Sequence, residues 1–155
     1  KFENKYMIVH RSGHDKDLSF TSSLEFNDEK WLEEYRWIAP RPGWWDSKKV
    51  GIASPPIKTE EGWILLYHGV SDNGVYRVGA ILLDLKKPLK VISRLDHYIL
   101  EPETDYEKSG QISNVVFPCG AVVIDKKLFV YYGGGDSVVG VATVELQKLL
   151  DAFEK

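Results

Sequence analysis

Apolar positions in this chain fall into short runs bounded by glycine, aspartate and asparagine. "KYMIVH" (5–10), "WILLYH" (63–68), "VYRVGAILLDL" (75–85), "AVVID" (121–125), "KLFVYY" (127–132) and "VVGVATVEL" (138–146) are rich in Val, Ile, Tyr and Phe. Runs of this length and composition predict β-strands. Helical periodicity is thin. "DEKWLEEYRW" (28–37) predicts a turn or two of helix, and "ELQKLLDAFEK" (145–155) a terminal helix with Leu146, Leu149, Leu150 and Phe153 on one side. "APRPGWWDSKK" (39–49) is the most irregular stretch, and no low-complexity linker divides the chain.

The runs repeat. "ENKYMIVHRSG…LSFTSSLEF", "EGWILLYHGVSDNGVYRVGAILLDL" and "DKKLFVYYGGGDSVVGVATVEL" share one plan: a polar turn, an aliphatic strand ending in Tyr or His, a glycine-containing turn and a return strand. The copies begin near Asn4, Gly62 and Lys126, recurring roughly every 60 residues, somewhat above the usual period of a propeller blade. Three such hairpins with further strands between them suggest blades of a β-propeller. A closed ring takes about four blades or more, and this chain holds material for between two and three. The ring is then completed either by sequence outside this chain or by another copy of it.

Composition narrows the class without choosing a function. The 155 residues are 43% apolar and 28% charged, enough for one domain with a real core. A formal net charge of −3 gives no reason to expect nucleic acid or an anionic membrane, so any anion needs a local basic cluster. Cys119 is the only cysteine, which excludes an intrachain disulfide and a cysteine zinc site and fits a reducing compartment. No apolar run approaches a membrane span, and "KFENKYMIVH" lacks signal-peptide organisation. The expected location is cytoplasmic.

Propellers present functional groups where inner strands end, and each repeat has a charged or titratable residue there. These are His10-Arg11, Tyr67-His68-Gly69 and Tyr132-Gly133-Gly134-Gly135-Asp136. Arg11, His68 and Lys49 suit an anion, since guanidinium and ammonium groups are the usual phosphate binders. Asp136 suits a hydroxyl-rich ligand, because a carboxylate accepts two hydroxyl hydrogen bonds. Plainer readings stand beside these. "GGGD" reads equally as a tight turn, Arg11 and Lys49 as solvated charges, and His68 as a satisfied turn histidine. Trp44, Trp45 and Trp63 suit either a core or a sugar-stacking platform. His14 and His97 have no partner pattern and are read as surface. There is no metal-ligand spacing, phosphate loop or nucleophile elbow.

"WWDSKKVGIASPPIKTEEGWILLYHGV", "YRVGAILLDL", "ILEPETDYEKSGQISNVVFPCGAVV" and "YYGGGDSVVGVATVEL" together resemble glycoside hydrolase family 130, the β-mannoside phosphorylases and related mannosidases. The resemblance runs in order over essentially the whole chain. It implies an all-β fold, part of a five-bladed β-propeller with a short C-terminal helix. It makes residues 1–155 a single domain, the C-terminal portion of a longer protein whose N-terminal blades are absent.

The implied reaction is inverting phosphorolysis, in which inorganic phosphate attacks a non-reducing β-mannosyl unit and releases α-mannose 1-phosphate. The alternatives are a β-mannosidase of the same family, with water as nucleophile, and a non-catalytic sugar-binding propeller fragment. By resemblance, Arg11, Lys49, His68 and Tyr76 grip phosphate and Asp136 contacts mannose hydroxyls. Asn114 and Phe117 take a supporting role, and Arg77 reads equally as a brace within the blade. Desolvating phosphate is costly unless cationic donors meet it, so the retained Arg11, Lys49 and His68 favour phosphorolysis over hydrolysis. The implied general acid lies upstream, so no catalytic residue is expected in this chain, which alone should be inactive. The expected partners are a β-mannoside oligosaccharide and inorganic phosphate as co-substrate, with no cofactor, metal, nucleic acid or membrane; a homo-oligomer is left open.

Overall fold

The computed structural model describes residues 6–11, 18–23 and 35–154. Among them the chain forms three antiparallel sheets in sequence order. The first contains β1 (Tyr6–His10), β2 (Leu18–Ser23) and β3 (Tyr35–Ile38). The second contains β4 (Lys49–Ile52), the short β5 (Ile57–Lys58), β6 (Trp63–Val70), β7 (Tyr76–Leu83) and β8 (Val91–Arg94). A single helical turn, α1 (Asp105–Lys108), precedes the third sheet of β9 (Val116–Ile124), β10 (Lys127–Gly134) and β11 (Val138–Glu145). The terminal helix α2 (Leu146–Asp151) follows directly and ends in a 3₁₀ turn, Ala152–Glu154.

Each predicted hairpin repeat falls in its own sheet, as β1–β2, β6–β7 and β10–β11. Successive strands meander, and the middle sheet runs β4-β6-β7-β8, the four-stranded pattern of a propeller blade. Turns of two residues between β9 and β10, three between β10 and β11 and five between β6 and β7 leave these strands little choice but to pair as neighbours.

Burial explains why the strands read differently in sequence. The second sheet is covered on both faces, so Ile64 through Val70 are all buried and the run is continuously apolar rather than alternating. One face carries Val50, Leu65, Tyr67, Ile81 and Leu83 against Leu18 and Ile38 of the first sheet. The other carries Ile64, Leu66, Ala80 and Leu82 against Leu128 and Val130 of the third. Leu149 and Leu150 of α2 close that second core, which is what the apolar side of the predicted terminal helix is for. In β10 and β11 burial alternates, because among the described residues only one face of the third sheet is covered.

One expectation is corrected. The helix predicted over 28–37 gives way to β3 at Tyr35–Ile38; residues 28–34 lie outside the described residues. β2 pairs along β3, and an aromatic, β-branched stretch is better used on a sheet than in an isolated helical turn. β4 and β8 carry too few apolar residues to announce themselves and exist because β6 and β7 offer them open edges.

An apolar cavity of about 460 Å³ opens between the first two sheets, lined by Met7, Val9, Trp37, Ile52, Trp63 and Leu89 among others. No helix among the described residues is long and apolar enough to cross a membrane.

Candidate functional site

Antiparallel pairing brings the start of β4, the end of β6 and the start of β7 to one end of the middle sheet. Lys49 pairs with Val70, Gly51 with His68 and Val70 with Tyr76. Because side chains alternate, Lys49 and Gly51 share one face of β4 with His68 opposite Gly51. A Cβ on Gly51 would stand 2.4 Å from the imidazole, so the absent side chain is what lets the ring lie flat on β4. The next register pair repeats the device on the opposite face, where Trp45 fills the space over Gly69.

His68 is 5% exposed. Its ring lies 4.4 Å from that of Phe117 and 6.0 Å from that of Tyr76, the latter stacked at 26°. The Lys49 ammonium sits 5.1 Å from the Tyr76 ring centre. The backbone N–H of Tyr76 donates to the carbonyl of Asn114 at 3.0 Å. Asn114 holds a positive φ of 61°, a conformation asparagine tolerates better than most residues. The segment Asn114–Phe117 thus pins both the backbone of Tyr76 and the ring that faces His68.

Burial pushes the His68 pKa down to about 4, and the fields of Arg11 and Lys49 push the same way, against a backbone hydrogen bond at Ile52. At neutral pH the imidazole is therefore uncharged. Its Nδ1 is buried without a hydrogen-bond partner among the described residues. An uncharged ring with an orphaned nitrogen, set among two cations, is costly as it stands; an anion placed there would reverse the unfavourable fields.

The structure brings together Lys49, His68 and Tyr76, and Arg11, exposed just after β1, acts on His68 through its field. Asp136 is exposed in the β10–β11 turn with φ 54°, next to Gly135, whose N–H donates to the carbonyl of Val115, the bridge partner of Tyr76. Its sheet reaches the cluster through Phe117, the register partner of Gly133. His97 is exposed, as expected of a surface residue, and His14 lies outside the described residues.

Trp45 and Trp63 are structural supports. The Trp45 ring packs on Tyr67 at 5.7 Å and its Nε1 donates to the Asp96 carbonyl at 2.8 Å. Trp63 donates to the Leu85 carbonyl. Trp44 is exposed, with the Arg41 guanidinium 4.6 Å from its ring. Arg77 braces the sheet: it pairs with Glu101 at 3.1 Å and lies 4.9 Å from the Tyr98 ring.

Two buried polar clusters hold these elements in place, and neither was foreseen. Asp46, wholly buried, accepts from Arg41 at 3.1 Å, Arg94 at 2.7 Å and the Tyr67 hydroxyl at 2.8 Å. Burial pushes the Tyr67 phenol well above its usual range, so it remains a donor. Glu107 accepts from the Tyr132 hydroxyl at 2.6 Å and from the backbone of Glu103 and Thr104. Burial alone would raise its carboxyl, but these hydrogen bonds outweigh that and hold it below the ordinary carboxylate range. The only hint in sequence was "WWD" and "DYEK": acids beside aromatics, the first in a loop and the second in the turn of α1.

The model of glycoside hydrolase family 130, described as beta-1,4-mannooligosaccharide phosphorylase, matches residues 1–155. The 1,2-beta-oligomannan phosphorylase of Thermoanaerobacter sp. is 47% identical over 149 residues, 96% of this chain and 49% of that protein. A beta-1,2-mannobiose phosphorylase of the same organism is 46% identical, again over 96% of this chain and 48% of its own length. The solved beta-1,2-mannobiose phosphorylase of Listeria innocua, in complex with beta-1,2-mannobiose, superposes with a TM-score of 0.92 at 37% identity, covering 99% of this chain and 44% of that one. The chain spans about half the length of the curated relatives it matches.

Proposed function

The chain belongs to glycoside hydrolase family 130, and from that premise we propose that it carries the phosphate-binding part of an inverting β-mannoside phosphorylase. The observation that supports this most directly is the buried, uncharged His68 with its free Nδ1, set between the fields of Arg11 and Lys49. Such a site suits an anion and not a water nucleophile, which needs a base rather than a cationic cradle.

In the proposed reaction a phosphate oxygen attacks C1 of the terminal mannosyl unit from the face opposite the glycosidic oxygen. The C1–O glycosidic bond breaks, and α-mannose 1-phosphate and a shortened sugar leave. The proton for the leaving oxygen comes from an acid outside this chain. Arg11 and Lys49 neutralise the nucleophile, His68 orients it through hydrogen bonds, and Tyr76 holds the Lys49 ammonium in position. Asp136 takes mannose hydroxyls. No cofactor is required by this chemistry, and the expected compartment is the cytoplasm. A β-1,2 linkage is the preferred substrate class, since the relatives near half identity are named for β-1,2-linked mannosides.

Titration calorimetry of the chain with inorganic phosphate tests the reading. Phosphate should bind, and Lys49→Ala should weaken binding by tenfold or more, the worth of about one charge-assisted hydrogen bond. Equal binding by the variant, or none by the parent chain, would overturn it. The chain alone should release no mannose 1-phosphate from β-1,2-mannobiose.

A further inference from the structure

The apolar cavity between the first two sheets lies at the far end of the middle sheet from Lys49 and Tyr76. Ile52 ends β4, Trp63 begins β6 and Leu83 ends β7, and all three line it, whereas Lys49, Val70 and Tyr76 meet at the other end. Its volume of about 460 Å³ is that of a small-molecule site and far above the voids left by ordinary packing. Nothing in the phosphate reading uses it. No charged side chain is found among the described residues that line it.

One lining residue does not fit an apolar wall. Ser54 lines the cavity and is 4% exposed, and its Oγ is buried without a hydrogen-bond partner among the described residues. A buried hydroxyl left unpaired costs stability and calls for an explanation. Water explains it poorly: a buried water needs about two to four polar partners, and Ser54 brings one hydroxyl to a wall of apolar and aromatic side chains. The two indoles are engaged elsewhere. Trp37 donates its Nε1 to the Leu89 carbonyl at 2.8 Å and Trp63 to the Leu85 carbonyl at 3.3 Å, so both offer the cavity ring surface. A polypeptide segment suits the cavity no better, because it would bring N–H and C=O groups that each need a partner. Pro55, Pro56 and Pro88 are positions of the wall with no backbone N–H to give.

We propose that this cavity binds an uncharged, ring-bearing apolar molecule carrying a single hydroxyl, carbonyl or amine N–H group. Its rings lie against Trp37 and Trp63, and its one polar group bonds the Ser54 hydroxyl, which can donate or accept. Burying a carboxylate or phosphate in a wall without cations would be costly. Mannosides are excluded on similar ground, since one serine cannot satisfy a hydroxyl on nearly every carbon. The proposal is separate from the phosphate reading: its test uses neither phosphate nor mannoside, and its failure leaves that reading untouched.

Met7 lines the cavity and is the only methionine in the chain, so its ε-methyl group gives one resonance that reports on the site. The chain, isotope-labelled at that methyl, is titrated with N-phenyl-1-naphthylamine, an uncharged aromatic molecule bearing one N–H. The methyl resonance should shift saturably and show nuclear Overhauser contacts to the ring protons of the added molecule. Ser54→Ala should weaken binding about fivefold, the effect of one neutral hydrogen bond. It should melt no lower than the parent chain, because it removes a buried hydroxyl that has no partner. Val139→Asp/Val141→Asp, on an exposed part of β11, should bind as the parent does, which separates the cavity from other exposed apolar surface. A methyl resonance that stays in place up to the solubility limit of the added molecule would overturn the proposal, as would equal binding by Ser54→Ala. So would a resonance that moves with protein concentration before anything is added, which would make a second copy of the chain the occupant.

Discussion

His68 shows how much one side chain's meaning depends on its surroundings. In sequence it is a histidine before a glycine; in the fold it is a buried ring pressed on Gly51 and facing Phe117. Its pKa in the folded chain, about 4, lies below its ordinary 6.5. Between those values the unfolded chain binds more protons than the folded one, so stability rises with pH there. The contribution is complete above about 6.5 and is lost as pH falls towards 4. The shift corresponds to about 3 kcal/mol at most. Denaturant titrations at pH 7 and pH 4.5 should therefore differ more for the parent chain than for His68→Asn, which removes the titrating group. Equal pH dependence in both would show that His68 does not carry the effect. Phosphate should also move the imidazole's titration upward, visible in its carbon-bound proton shifts, because an anion counters the fields of Arg11 and Lys49.

At the scale of elements, the loop between β3 and β4 matters more than its irregular sequence suggests. Asp46 ties it to β6 through Tyr67 and to β8 through Arg94, while Trp45 covers Gly69. Its position also decides where β4 begins, and so where Lys49 stands. Asp46→Ala would leave the guanidinium groups of Arg41 and Arg94 poorly matched beneath the surface. Loss of a buried ionic partner costs about 3–5 kcal/mol. Urea unfolding should register most of that, whereas Lys86→Ala on an exposed turn should change stability little. A loss below about 1 kcal/mol for Asp46→Ala would mean the loop is held by its tryptophans alone. The strands whose apolar content is high were legible in advance, down to the β6–β7 and β10–β11 hairpins. β3, β4 and β8 were not, because an edge strand draws its stability from the neighbour it pairs with rather than from its own composition.

For the whole molecule, a ligand that binds only the folded chain must raise its melting temperature. Phosphate at a hundred times its dissociation constant should add about 2.7 kcal/mol, or several degrees for a chain of this size. Sulfate of similar charge tests how far shape matters, and Lys49→Ala should abolish most of the shift. An unchanged melting curve in saturating phosphate would count against the site even if the fold is correct. The sequence by itself determined the all-β class, the threefold hairpin repeat, the terminal helix and the family, because these depend on local periodicity and on motifs that survive in one dimension. Recurring strand ends pointed to Arg11 and His68 as candidates, whereas the role expected of Tyr76 came from the family resemblance alone. Only the tertiary structure decided that His68 is uncharged, that Asn114 pins Tyr76, that Asp46 and Glu107 are buried anchors, and that among the described residues one face of the third sheet is uncovered. Each of those depends on which strand lies opposite which and on how much water is excluded between them, and neither quantity is written in the order of residues along one strand.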